Sequence, residues 1–243
     1  METTIQDFKL TTLVISSVFI ILFLVVSAVE SNAVVLNGYS TVLHCAVICI
    51  GIQWIAWIPA SIWKTERYYD LTGGLTYLVV VVFSLWSGSQ FEPPSLREII
   101  VSALVIVWSL RLSSFLYFRI HRTGKDGRFD RLKTSPIRFL VPWTLQGLWV
   151  FLTMVVVIVI NNQENTSPAL GVWDCIGLLL WITGFGIEVI ADNQKTVFNS
   201  EPMNENKWID SGLWSYSRHP NYFGEILLWT CLLYTSPSPR DPL

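Results

Sequence analysis

Long apolar runs separated by short polar stretches set the pattern of this chain. Six runs reach or approach the about twenty residues that a helix needs to cross hydrocarbon. They are Leu10–Val29, Thr41–Trp63, Leu71–Gly88, Glu98–Phe118, Phe139–Ile160 and Ala169–Ala191. A seventh starts near Asn221 and breaks after about 13 residues, short of a full crossing. The runs are continuous rather than alternating, and lipid excludes open sheet edges, so the pattern predicts helices throughout. The expected fold class is all-α: a polytopic membrane helical bundle with about six full spans plus a truncated seventh. One transmembrane domain is expected over residues 1–234. The stretch 235–243, TSPSPRDPL, carries three prolines and cannot continue a helix, so it reads as a foreign tail or the mark of a truncation. The first run is longer than the roughly 7–15 residues of a signal-peptide core and is preceded only by Lys9, which predicts a retained span.

Composition agrees. Of 243 residues, 52% are hydrophobic and 14% charged, where a soluble domain carries about a quarter charged. The formal net charge of −2 gives no reason to expect a nucleic-acid partner. Membrane lipids are the expected surroundings, and the pattern sets no oligomeric state. The placement of charge is more telling than its sum. Lys9, Lys64, Arg67, Arg119, Arg122, Lys125, Arg128, Arg131, Lys133, Arg138, Lys195, Lys207 and Arg218 fall on one side of the predicted topology, and Arg97 alone on the other. The cation-rich side, with the N-terminus, is assigned to the cytoplasm. The Asn165-Thr166-Ser167 sequon then falls on the far side, and the endoplasmic reticulum is the expected membrane for a eukaryotic source. Trp54, Trp57, Trp63, Trp143, Trp149, Trp173 and Trp208 lie near span ends and are read as interface anchors. Cys45, Cys49, Cys175 and Cys231 all sit in apolar stretches. They are read as buried apolar side chains, because no further ligands stand at metal-binding spacing.

Three polar segments could carry chemistry. Ser211–Trp229 packs Tyr216, Arg218, His219, Asn221, Tyr222 and Glu225 directly ahead of and into an apolar run. Pro220 suits a first helical turn, Asn221 and Glu225 then share a face, and the helix N-terminus favours an anion nearby. Glu188 and Asp192 stand four apart near the end of the sixth run. Acids there are either a buried pair satisfied by Arg111, Arg119 or Lys195, or part of a functional site. The basic loop Arg119–Arg138 includes GKDGRFD. Its cations either touch lipid phosphates and set topology, or Lys125, Asp126 and Arg128 help hold a phosphorylated cofactor.

The strings FGIEVIADNQK and WIDSGLWSYSRHPNYFGEILLW, with GKDGRFD and RFLVPWTLQGLWVF, resemble the steroid 5α-reductase-like membrane family over about residues 101–229. More narrowly they resemble its uncharacterised, DUF-type branch. The resemblance implies an NADPH-binding helical bundle open to the cytoplasm. It implies that Asp192, Asn221 and Glu225 contact the cofactor, Glu225 as the acid of an N-x-x-G-E motif. Glu188 stands where steroid reductases use asparagine. The acid that polarises a steroid ketone has no match, Trp57 standing near its place, so steroid specificity is not expected. Relatives continue into a further helix and a basic C-terminal segment, where this chain has TSPSPRDPL. The leading expectation is NADPH-dependent reduction of a C=C bond conjugated to a carbonyl in a lipid or sterol-like substrate. Tyr222, Tyr216 and His219 are then candidate proton donors, and Arg218 and the GKDGRFD loop hold phosphate. Two rivals stay open. RHP-x-Y-x-G is shared with isoprenylcysteine methyltransferases, which implies S-adenosylmethionine; a lipid-binding protein without catalysis would keep the fold alone.

Overall fold

A computed structural model describes residues 2–29, 33–162 and 170–234. The sequon and the stretch 235–243 lie outside the described residues. Seven α-helices account for most of it: α1 (Glu2–Val29), α2 (Thr41–Ile62), α3 (Tyr69–Ser89), α4 (Leu96–Thr123), α5 (Pro136–Asn161), α6 (Val172–Ser200) and α7 (Pro220–Tyr234). The first six are long and apolar enough to span a membrane. The fold is all-α and polytopic, and the chain is an integral multi-pass membrane protein. Helix ends depart from the hydropathy boundaries where capping, not hydropathy, decides. Ser95 and Glu98 form a reciprocal capping box (3.3 and 3.1 Å) that starts α4 two residues early. Gly124, at φ 78°, ends it beyond Phe118. α6 runs nine residues past Ala191, because the polar stretch that follows contains no glycine or proline before Pro202. One short element went unforeseen: Val35–Leu36 (β1) and Tyr39–Ser40 (β2) pair as a small hairpin through Asn37 and Gly38, both at positive φ.

The chain divides into two compact units, Met1–Thr166 and Ser167–Leu243. In the first, α5 is the central helix. It packs on α1, α2 and α3, and 56% of its most apolar stretch is buried, against 17% for α1. Phe139, Phe151, Met154, Val157 and Ile158 form its hidden face. Large apolar side chains such as Phe23, Ile55 and Val82 point outward, as lipid contact requires. Without a hydrophobic drive between helices in lipid, hydrogen bonds supply specificity. Thr41 bonds Ser87 (2.7 Å), Trp54 Nε1 donates to Thr144 (3.0 Å), and Asn161 Nδ2 donates to Ser84 and Ser102 (3.0 and 3.1 Å).

Two expectations are corrected here. Trp143 is not an interface anchor: it is 1% exposed, packed edge-on against Tyr69 and Phe139. Its helix presents that face to α2 and α3, so tertiary packing overrides its position near a span end. Cys45, Cys49 and Cys231 are buried, whereas Cys175 is exposed on the outward face of α6.

Candidate functional site

In the second unit, the site is built where α6 and α7 meet. Gly184 and Gly224 are the contact point. A β-carbon on Gly184 would stand 2.6 Å from the Gly224 carbonyl oxygen, so only glycine lets these backbones touch. Glu188 lies one turn beyond Gly184 and Asp192 two turns beyond, on the same face. Both are almost completely buried, at 2% and 6% exposure. On α7, Asn221 and Glu225 flank Gly224 and are half-buried. The Asn221 amide Nδ2 donates to Asp192 Oδ1 at 3.2 Å. Asp192 also acts on the Glu225 carboxyl by charge. The Asn221 carbonyl oxygen is buried with no bonding partner among the described residues.

The polar return from α6 to α7 is pinned beside these groups. Trp214 is buried and its indole N–H donates to the Ala191 carbonyl at 3.0 Å. The Lys195 ammonium lies 4.8 Å over the Trp214 ring. Gln194 Oε1 accepts the Leu213 N–H at 3.0 Å. Gly212, at φ +61°, brings the backbone against that same Gln194 side chain, where a β-carbon would clash. Past this anchor, Pro220 opens α7, and the His219 carbonyl accepts the Phe223 N–H at 3.1 Å. The His219 and Tyr222 rings stack, with centroids 5.2 Å apart. Tyr216, Arg218, His219 and Tyr222 are exposed.

The structure thus brings Glu188, Asp192, Asn221 and Glu225 into one wall, with Arg218, His219 and Tyr222 at its α7 end. The wall is rich in acceptors: carboxylates and one unpaired carbonyl oxygen. Such a surface suits hydroxyl or amide donors and repels phosphate. Trp214, Gln194 and Gly212 were not singled out in the sequence. No periodic signal links positions about twenty apart across an irregular return.

Lys125, Asp126 and Arg128 belong to the first unit, where the two aspartates of the basic loop pair with some of its cations. Lys125 Nζ pairs with Asp130 Oδ2 at 3.1 Å, and Arg128 pairs with Asp126 at 2.5 Å. Glu66, 5% exposed, takes Lys133 Nζ at 2.8 Å and the Asp126 backbone N–H at 3.0 Å. Burial works to raise the Asp126 carboxyl, but hydrogen bonds and charge from Arg128 outweigh it and hold it below the usual range. Hydrogen bonds from Lys125 and Lys133 likewise lower Asp130. Burial opposes the Lys133 charge, and its bonds to Glu66 and Asp130 still raise its ammonium. The loop has its own counter-ions.

Residues 56–239 match a protein family described as a protein of unknown function, DUF1295. The chain belongs to DUF1295. This is a steroid 5α-reductase-like family, and the match takes in both the acidic wall and the Glu66–Lys133 loop. The chain is also 26% identical, over 200 residues, to an uncharacterized protein of Schizosaccharomyces pombe. The match covers 70% of this chain and 57% of that protein, so the chain spans a little over half of the relative's length. No solved structure matches significantly.

Proposed function

We propose that this DUF1295 protein is a membrane-embedded, NADPH-dependent reductase of a C=C bond conjugated to a carbonyl, acting on a lipid or sterol-like substrate. The observation that carries the reading is the bond from Asn221 to Asp192, which leaves the Asn221 carbonyl oxygen buried and open beside a row of acids. Ribose hydroxyls and the nicotinamide carboxamide are donors of the kind such a wall accepts. When bound, NADPH would supply the hydride.

The chain's own groups take the remaining roles. Asp192 and Asn221 Oδ1 would accept O–H or N–H donors and fix their orientation, with Glu188 and Glu225 extending the acceptor row. Arg218 would take a phosphate in its planar fork. Lys125 and Arg128, in the first unit, are engaged by Asp130 and Asp126. Tyr222 Oη, Tyr216 Oη or a His219 ring nitrogen would hold the proton that neutralises a developing enolate oxygen. The one-sided placement of Lys and Arg supports a cytoplasmic N-terminus, in the endoplasmic reticulum for a eukaryotic source.

The test is an NADPH titration by fluorescence on detergent-solubilised protein, with S-adenosylmethionine as competitor. Saturable NADPH binding that Asn221→Ala weakens supports the reading. Binding of S-adenosylmethionine alone would transfer it to a methyltransferase, and binding of neither would end it.

A further inference from the structure

Deep in the first unit, a second set of polar atoms lacks partners among the described residues. Gln53 on α2 is completely buried, at 0% exposure. Its Nε2 donates to Thr76 Oγ1 on α3 at 2.9 Å. Thr76 spends its own proton on the Thr72 carbonyl at 2.7 Å, so it can only accept from Gln53. That sets the amide's orientation and leaves Gln53 Oε1 as the open end. It is buried with no hydrogen-bond partner among the described residues.

Two more buried atoms without a partner among the described residues lie on α5. Gln146 Oε1 is likewise buried and unpartnered. Its side chain presses on Gly73, which stands three residues before Thr76, so both glutamines reach the same stretch of α3 within about one turn. Trp143 lies three residues before Gln146, on the same side of α5, and its indole N–H is buried and unpartnered. Trp54 Nε1 bonding to Thr144 puts α2 and α5 in register at this level. Two carbonyl oxygens therefore need a donor and one N–H needs an acceptor, at spanning depth where neither can be left bare cheaply.

We propose that α2, α3 and α5 hold the O–H group of a bound molecule, whose proton goes to Gln53 Oε1, a second proton serving Gln146 Oε1 where the molecule is water. A hydroxyl is the simple group that donates to a carboxamide and accepts from an indole N–H. A retained water and the hydroxyl of a membrane amphiphile share this chemistry. The site is independent of the acidic wall and of the reductase reading.

The test uses the whole chain with its glutamine side-chain carbonyls 13C-labelled, in detergent with and without added lipid. The infrared difference between wild type and Gln53→Leu isolates the Gln53 carbonyl stretch. A band at the hydrogen-bonded position is expected; a band at the position of a free carbonyl overturns the proposal. If Gln53→Leu does not fold, Gln53→Met gives the same readout. Cholesterol and its 3-O-methyl ether then separate the two sources. Stabilisation by about 2–4 °C with cholesterol alone, lost in Gln53→Leu, assigns the hydroxyl to an amphiphile. A hydrogen-bonded band with no response to either sterol, together with an O–H stretch that shifts on exchange into heavy-oxygen water, assigns it to water.

Discussion

A β-carbon placed on Gly224 would stand 2.5 Å from the Gly184 carbonyl oxygen and 2.8 Å from the Glu188 nitrogen. The two glycines therefore set the separation of α6 and α7, and with it the distance across which Asn221 meets Asp192. Gly224→Ala is expected to force the helices apart, at a cost of about 1–3 kcal/mol. Thermal unfolding in detergent should show the loss. Gly186→Ala, whose β-carbon meets nothing within 4 Å, should instead keep or raise stability, by up to about 1 kcal/mol.

Asp192→Asn keeps the shape of the wall and removes its charge. On the reductase reading, NADPH affinity should fall about ten- to a hundredfold, or roughly 1.4–2.8 kcal/mol. The check is a fluorescence titration alongside a melting curve. Weaker binding with unchanged melting places the residue at the cofactor; a matched fall in both would make Asp192 structural.

Trp214 anchors the return through its bond to Ala191 and the Lys195 contact. Trp214→Ala should free the segment Ser211–His219 while leaving the first unit intact. Hydrogen exchange should rise at Leu213–Tyr216, with no change in α2 or α5. Uniform exchange over the whole chain would contradict this.

Glu66 carries two bonds that hold the basic loop, to Lys133 and to the Asp126 backbone. Glu66→Ala leaves the partly exposed Lys133 without its buried partner, at a cost of about 1–3 kcal/mol after allowance for solvent. Limited proteolysis between Gly124 and Ser135 should speed up about tenfold or more.

The same loop has a definite pH range. Asp126 and Asp130 sit below the usual carboxylate range, so their stabilisation is complete above about pH 4, the unfolded value, and is lost as pH falls through their lower folded values. Lys133 is raised, so its share is complete below about pH 10.4 and is lost as pH rises through its folded value. Proteolysis of the loop should be slow at neutral pH and accelerate at both extremes. Acceleration starting near pH 6 would contradict the assignment.

What the linear chain determined by itself was the set of helices. Spanning length is a local property of apolar runs, so six spans, the start of α7 at Pro220 and the all-α class were all legible. So was the pairing of Glu188 with Asp192 on one face, since that needs only helical periodicity. Boundaries were less legible, because the Ser95–Glu98 box and Gly124 act through single bonds and a single dihedral angle. Tertiary structure alone decided the partners. It put Trp143 in the interior, took Lys125 and Arg128 into ion pairs within their own loop, and closed Asn221 onto Asp192 through a glycine contact forty residues apart in sequence. In lipid the hydrophobic effect does not choose between neighbouring helices, so close packing and hydrogen bonds make that choice, and neither is written in the order of apolar and polar residues.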